Sequence, residues 1–188
     1  MKEMKLFTAL CFTLAFANAN AQADSNQETH TIGITIPAVA LVDVEGGTNI
    51  DLTFTAPTEA GLPIAAPTDN TSLWLNYSYI PSIGNTTSKI TANIDALFPG
   101  VDIKVAAAAP AATGGGTLGS LSGVAAITLN STPTDFITSI GASYTGDGAN
   151  SGHNLTYSAV AAGSSTYNDL IEVAAATQIT VTYTIVEN

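Results

Sequence analysis

Residues 178–187 read QITVTYTIVE, and this stretch decides the fold class. Ile179, Val181, Tyr183 and Ile185 alternate with Thr180, Thr182 and Thr184. With the two-residue period of a β-strand, the four apolar side chains fall on one face and the threonines on the other. β-Branched and aromatic types fill most positions, and they suit a pleated, half-buried surface.

The same period recurs upstream. In residues 73–80, Leu73, Leu75, Tyr77 and Tyr79 share one face, opposite Trp74, Asn76 and Ser78. Ile90, Ala92 and Ile94 alternate with Thr91 and Asn93, Leu52 and Phe54 with Thr53 and Thr55, and Ile103, Val105 and Ala107 with Lys104 and Ala106. Residues 124–129 and 154–160 add two further candidates. Residues 31–44 carry Ile32, Ile34 and Ile36, then Val39, Leu41 and Val44 beyond Pro37. Proline has no N–H to give a ladder, so this segment is expected to be an edge strand or two strands joined at a bulge. Turn-forming clusters separate these runs, including residues 45–47, 63–69, 84–85 and 146–152, and the triple glycine Gly114 to Gly116 reads as a flexible connection. Two places depart from the pattern. Phe136, Ile137 and Ile140 after Pro133 have the spacing of one helical turn, and residues 168–175 fit a short helix or a loop. The expected fold is all-β, an immunoglobulin-like antiparallel β-sandwich of seven to nine strands.

Ahead of these runs, residues 1–23 combine Lys2 and Lys5, an apolar run from Leu6 to Ala17 and small residues in A-x-A spacing, the pattern of a secretory signal peptide. That run is shorter than the roughly 20 residues needed to span a bilayer, so removal rather than anchoring is expected. Leu10 precedes Cys11 where acylation calls for a small residue, which argues against a lipoprotein. Residues 24–188 then form one domain at the cell surface or outside the cell. It contains no cysteine, so packing and backbone pairing must hold it.

Charge excludes one class of partner. The whole chain carries a formal charge of −11, and after residue 23 only Lys89 and Lys104 are basic, with no arginine. Nucleic-acid affinity comes largely from basic side chains on phosphates, which this chain cannot supply, and anionic lipid surfaces are disfavoured for the same reason.

Reactive groups are few. His30 and His153 are the only histidines, and no H-E-x-x-H, C-x-x-C or G-x-S-x-G pattern occurs. No catalytic residue, cofactor or metal site is assigned, although a pair of distant carboxylates of the glycosidase kind remains open. The loop holding Asp147, Asn150, Ser151 and Asn154 among three glycines is rich enough in oxygen to ligate calcium, but its spacing is not that of an EF-hand and it reads first as a turn in which Gly, Asp and Asn supply unusual backbone angles. Trp74, opposite the tyrosines of its strand, is a candidate platform for a sugar ring. Lys89 and Lys104, on or beside strands, either face solvent or take part in a lysine–asparagine cross-link.

The leader, the alternating residues 31–44 and the terminal strand with Tyr183 together resemble bacterial fimbrial subunits and related secreted sandwich proteins. The chain departs from them in lacking a cysteine pair and in the five residues after Tyr183. The resemblance implies a sandwich whose edge is completed by a neighbour's strand. The expected function is a secreted, non-catalytic structural or adhesive protein that associates with itself or with other surface proteins. Its candidate assembly strands are those of Ile32, Ile34, Ile36, Val39 and Leu41, and of Ile179, Val181, Tyr183 and Ile185. The alternative is an extracellular module binding carbohydrate or calcium through Trp74 or the Asp147 loop.

Overall fold

The structure, a computed structural model, describes residues 26–47, 49–122, 125–161, 167–173 and 177–188. The expected signal peptide, residues 1–23, lies outside the described residues. Contacts divide the chain into two units, Met1–Thr35 and Ile36–Asn188. The described part of the first, residues 26–35, contains no helix or strand. The described residues of the second form nine strands: β1 (Val39–Glu45), β2 (Trp74–Ile80), β3 (Ser88–Ile94), β4 (Val101–Ala107), β5 (Gly115–Leu121), β6 (Ile127–Thr128), β7 (Thr134–Tyr144), β8 (His153–Ala161) and β9 (Val181–Glu187). One 3-10 turn, Tyr167–Asp169, interrupts an otherwise all-β, sandwich-like fold. Among the described residues no helix is long and apolar enough to cross a membrane.

All strand pairs are antiparallel. Strand β7 organises one layer. It pairs with β5 along one side, and along the other it meets β3 through Thr134 to Ile140 and β2 through Ser143 and Tyr144. Strands β2 and β3 thus follow one another beside β7, flanked in turn by β1 and β9. The Glu187 carboxylate accepts hydrogen bonds from the Ser82 N–H at 2.9 Å, Ser82 Oγ at 2.6 Å and Asn85 Nδ2 at 2.7 Å, fixing the excursion between β2 and β3. At its other end β2 leaves β7 and pairs through Trp74 and Leu75 with β8, which continues to β4 and β6. One strand therefore belongs to both layers.

The apolar faces meet between the layers. Leu75, Tyr79, Ile90, Val105, Ile137, Ile140 and Leu155 are fully buried, and Tyr77 and Tyr157 nearly so. Burying a face of each layer this way is the main stabilising term of such a fold. The inward set on β2 is Leu75, Tyr77 and Tyr79, continued by Leu73 just before the strand, as the alternation requires.

Several expectations need correction. Residues 134–140 are not a helical turn but the start of the 11-residue β7. Ser139, at φ 60°, and register shifts against β3 break the period, so Phe136, Ile137 and Ile140 are all buried from one strand. Leu52 and Phe54 form no strand; a single bridge, Thr55 to Ala65, is all that pairs there. Only Ile127 and Thr128 of residues 124–129 are in a strand, and Val124 lies outside the described residues. The triple glycine is no mere connection, because Gly115 and Gly116 open β5. A Cβ on Gly116, at φ +86°, would stand 2.1 Å from the Ala142 carbonyl oxygen, so close strand approach is what this glycine provides. The expected strand over residues 31–44 begins only at Val39; Ile32, Ile34 and Ile36 are in no strand and are 77%, 82% and 71% exposed. Pro37 lies between the two parts, and the loss of a ladder donor there accounts for the boundary.

Candidate functional site

The candidate assembly residues fall into three groups. Ile179, Val181, Tyr183 and Ile185 lie on or just before β9, half-buried against the core. Val39 and Leu41 lie on β1, with Leu41 65% exposed. Ile32, Ile34 and Ile36 have no place in a ladder. Strand β1 pairs with β2 and β9 with β3, so the structure does not bring the two candidate strands into one ladder.

Strand β9 is an edge: among the described residues its only ladder is to β3, in unbroken register from Ser88 opposite Glu187 to Ile94 opposite Val181. Asp95 N–H donates to the Thr180 carbonyl at 3.1 Å and Asn188 N–H to the Thr87 carbonyl at 3.0 Å. Antiparallel pairing alternates bonded and unbonded positions, so the even-numbered residues of β9 bond toward β3. The backbone groups of Val181, Tyr183 and Ile185 then point to the open side. Their side chains face inward, yet they stay half-buried while their partners across the ladder, Ile94, Ala92 and Ile90, are at most 2% exposed. The sheet is incompletely covered along this margin.

Edges are usually blunted by charge, proline, bulges or shortness. Strand β1 carries Asp43 and Glu45, β5 has a register shift between Gly116 and Leu118, and β6 has two residues. Strand β9 has none of these before Glu187.

The inner side of this margin is tied by tyrosines. Tyr183 and Tyr157 join hydroxyl to hydroxyl at 2.7 Å between β9 and β8, and the Tyr183 ring lies 5.7 Å from that of Phe136. Burial, the largest cause, pushes both phenols above their usual range.

His153, within the glycine-rich stretch that holds Asp147 to Asn154, opens β8 and is fully buried. Its Nδ1–H donates to the Ala108 carbonyl at 2.8 Å, and Nε2 lies 3.2 Å from the Tyr77 hydroxyl, whose single proton goes to the Leu118 carbonyl. The two rings stack at 5.8 Å. Burial lowers the imidazole's pKa against the pull of the Ala108 and Leu118 carbonyls, so the ring is held neutral. Extending the alternation of Leu155, Tyr157 and Ala159 back by two residues would have placed His153 inside. The imidazole ties β8 to the Ala108 carbonyl just past β4 and packs against Tyr77 of β2, whose hydroxyl reaches Leu118 within β5.

The other sequence candidates are dispersed. Lys89 pairs with Asp135 at 2.9 Å on the surface. Trp74 is half-buried on the outer face of β2. In the Asp147 loop, Ser151 Oγ donates to the Asp147 carbonyl at 3.0 Å and Asn76 Nδ2 to the Gly148 carbonyl at 2.9 Å, so a turn made by Gly146, Gly148, Asn150 and Gly152 at positive φ holds the loop. Comparison of the chain with family models, with curated proteins and with solved structures finds no match.

Proposed function

We propose that this protein is an exported structural or adhesive subunit of a bacterial surface or matrix, acting without catalysis and associating with further copies through strand edges. Residues 31–36 of one copy would pair on the open side of β9 of the next. The observation that carries this reading is the unblunted β9 edge with its half-covered apolar face. The donor suits it: residues 31–36, T-I-G-I-T-I, are uncharged and carry three isoleucines on one face of an extended chain. Added strands gain affinity from main-chain hydrogen bonds and specificity from alternate side chains, and both are on offer here. The full burial of His153 and its Nδ1–H bond to the Ala108 carbonyl support the non-catalytic part.

Deleting residues 31–36 tests it. Negative-stain electron microscopy and light scattering should show polymers of the intact protein and monomers of the deletion, with the same β-rich circular dichroism. Unchanged polymers after the deletion, or an intact protein that is monodisperse at all concentrations, refutes strand donation.

A further inference from the structure

The outer face of the β7 layer carries a second feature, separate from the β9 margin. Across four strands Leu41, Ser78, Tyr144 and Gly115 stand opposite one another in register. The row is concave for a simple reason: glycine and serine leave little above the sheet, while Leu41 on one side and the Asp147 loop at the end rise around it. Tyr144 lies down into this trough. Its ring carbons and hydroxyl come within 3.1–3.3 Å of where a Gly115 Cβ would be, so a side chain there would push the ring out by a few tenths of an ångström, and the ring remains 57% exposed.

Two depressions share Ser78 and Tyr144. One, of about 400 Å³, is apolar, formed by Val39, Ile80, Ala142 and the β5 glycines. The other, of about 470 Å³, adds Asp43, Asn76 and Asp147. Each falls in the size range of small-molecule sites. Together they cross three interstrand spacings, about 14 Å. Asn76 is 5% exposed, its Nδ2 is used by Gly148, and its Oδ1 is buried with no hydrogen-bond partner.

The chemistry of the lining selects the ligand. No lysine, arginine or histidine borders either depression, and two carboxylates border one, so an anion is disfavoured. Carboxylates accept hydrogen bonds from hydroxyl groups, and an exposed ring surface packs against apolar C–H faces. A lone cation would use only the acidic end and leave the aromatic and apolar half without a role. We propose that this trough binds a neutral oligosaccharide, one ring stacked on Tyr144 and its hydroxyls donating to Asp43 and Asp147. The site does not depend on assembly through β9.

Calorimetry on the intact protein, with neutral hexasaccharides of the cello-, chito-, malto- and manno- series and oligogalacturonate as the acidic control, tests this. Binding to at least one neutral series is expected, weakened about tenfold or more by Tyr144→Ala and kept by Tyr144→Phe, which retains the stacking surface. Asp147→Asn should weaken it without changing the thermal melt. Leu97→Ala, outside the trough, should leave it unchanged. Absence of binding to every neutral series overturns the proposal. So does affinity indifferent to both Tyr144→Ala and Asp147→Asn, preference for oligogalacturonate, or calcium binding lost in Asp147→Asn with no saccharide bound.

Discussion

Leu75→Ala and Leu41→Ala, compared side by side, test the register on which the whole architecture stands. The two leucines sit on neighbouring, paired strands, but Leu75 faces the core at 0% exposure and Leu41 faces outward at 65%. Leu75→Ala removes three carbon groups from between the layers, about 2.4 kcal/mol of lost transfer energy at roughly 0.8 kcal/mol each. A cavity that collapses only in part adds to this, bringing the expected cost to about 3–4 kcal/mol. For a domain of this size that is a fall of roughly 10 °C in Tm. Leu41→Ala should stay within about 0.5 kcal/mol, as surface changes do. Urea unfolding followed by far-ultraviolet circular dichroism gives both numbers, and the sole tryptophan, Trp74, reports independently by fluorescence. A one-residue slip of β2 would exchange inner and outer faces. A cost below about 1 kcal/mol for Leu75→Ala, or a comparable cost for Leu41→Ala, would therefore refute the assigned faces.

Two further outcomes follow from the buried polar groups. Tyr183→Phe strips the partner from the buried Tyr157 hydroxyl and should cost about 1–2 kcal/mol in urea unfolding, whereas Tyr157→Phe added to it should recover part of the loss; a single variant as stable as the parent would show that the hydroxyl pair contributes nothing. His153 is held neutral by burial, with its pKa below the ordinary value of about 6.5 that it regains on unfolding. The unfolded chain then takes up the proton first, so this stabilisation is complete above about pH 6.5 and declines as the pH falls toward the folded-state value. Urea midpoints at pH 7.5, 6.5 and 5.5 should drop in that order and lose the trend in His153→Gln, and flat midpoints in the parent would contradict the buried neutral ring.

The fold class was legible because its strongest strands keep the two-residue period without interruption. Residues 181–187 and 73–80 state which side chains go inward, and Tyr77 and Tyr79 lie where alternation puts them. The misreadings occur where a local feature perturbs that period. Strand β7 bends at Ser139 and shifts register, so three apolar residues at helical spacing share a core; no short-range rule separates that from a helical turn. Gly114 to Gly116 look like a linker because glycine is usually read for its freedom, whereas here the missing side chain lets β5 close on β7. Residues 31–36 fail in the opposite sense: their alternation is as regular as that of β9, and they lack a partner strand among the described residues rather than a propensity. The Tyr144 trough was not legible at all, since Leu41, Ser78, Tyr144 and Gly115 become neighbours only through three strand pairings.

Charge and edges combine into one constraint on how copies can meet. A chain with a formal charge of −11 repels its own copies, and the repulsion between exposed groups fades beyond a Debye length of about 8 Å at physiological salt. Contact is then least opposed where both surfaces lack carboxylates. Residues 31–36 and 181–186 satisfy this, whereas β1 presents Asp43 and Glu45. The same acidity that keeps most faces apart spares the β9 margin, which unlike the uncharged β5 edge has no register shift, and the half-covered Val181, Tyr183 and Ile185 supply the apolar gain there. An edge charge introduced by Thr182→Lys would use a device by which strand edges are ordinarily blocked, and on this reasoning it should act on association while leaving the interior of the sandwich untouched.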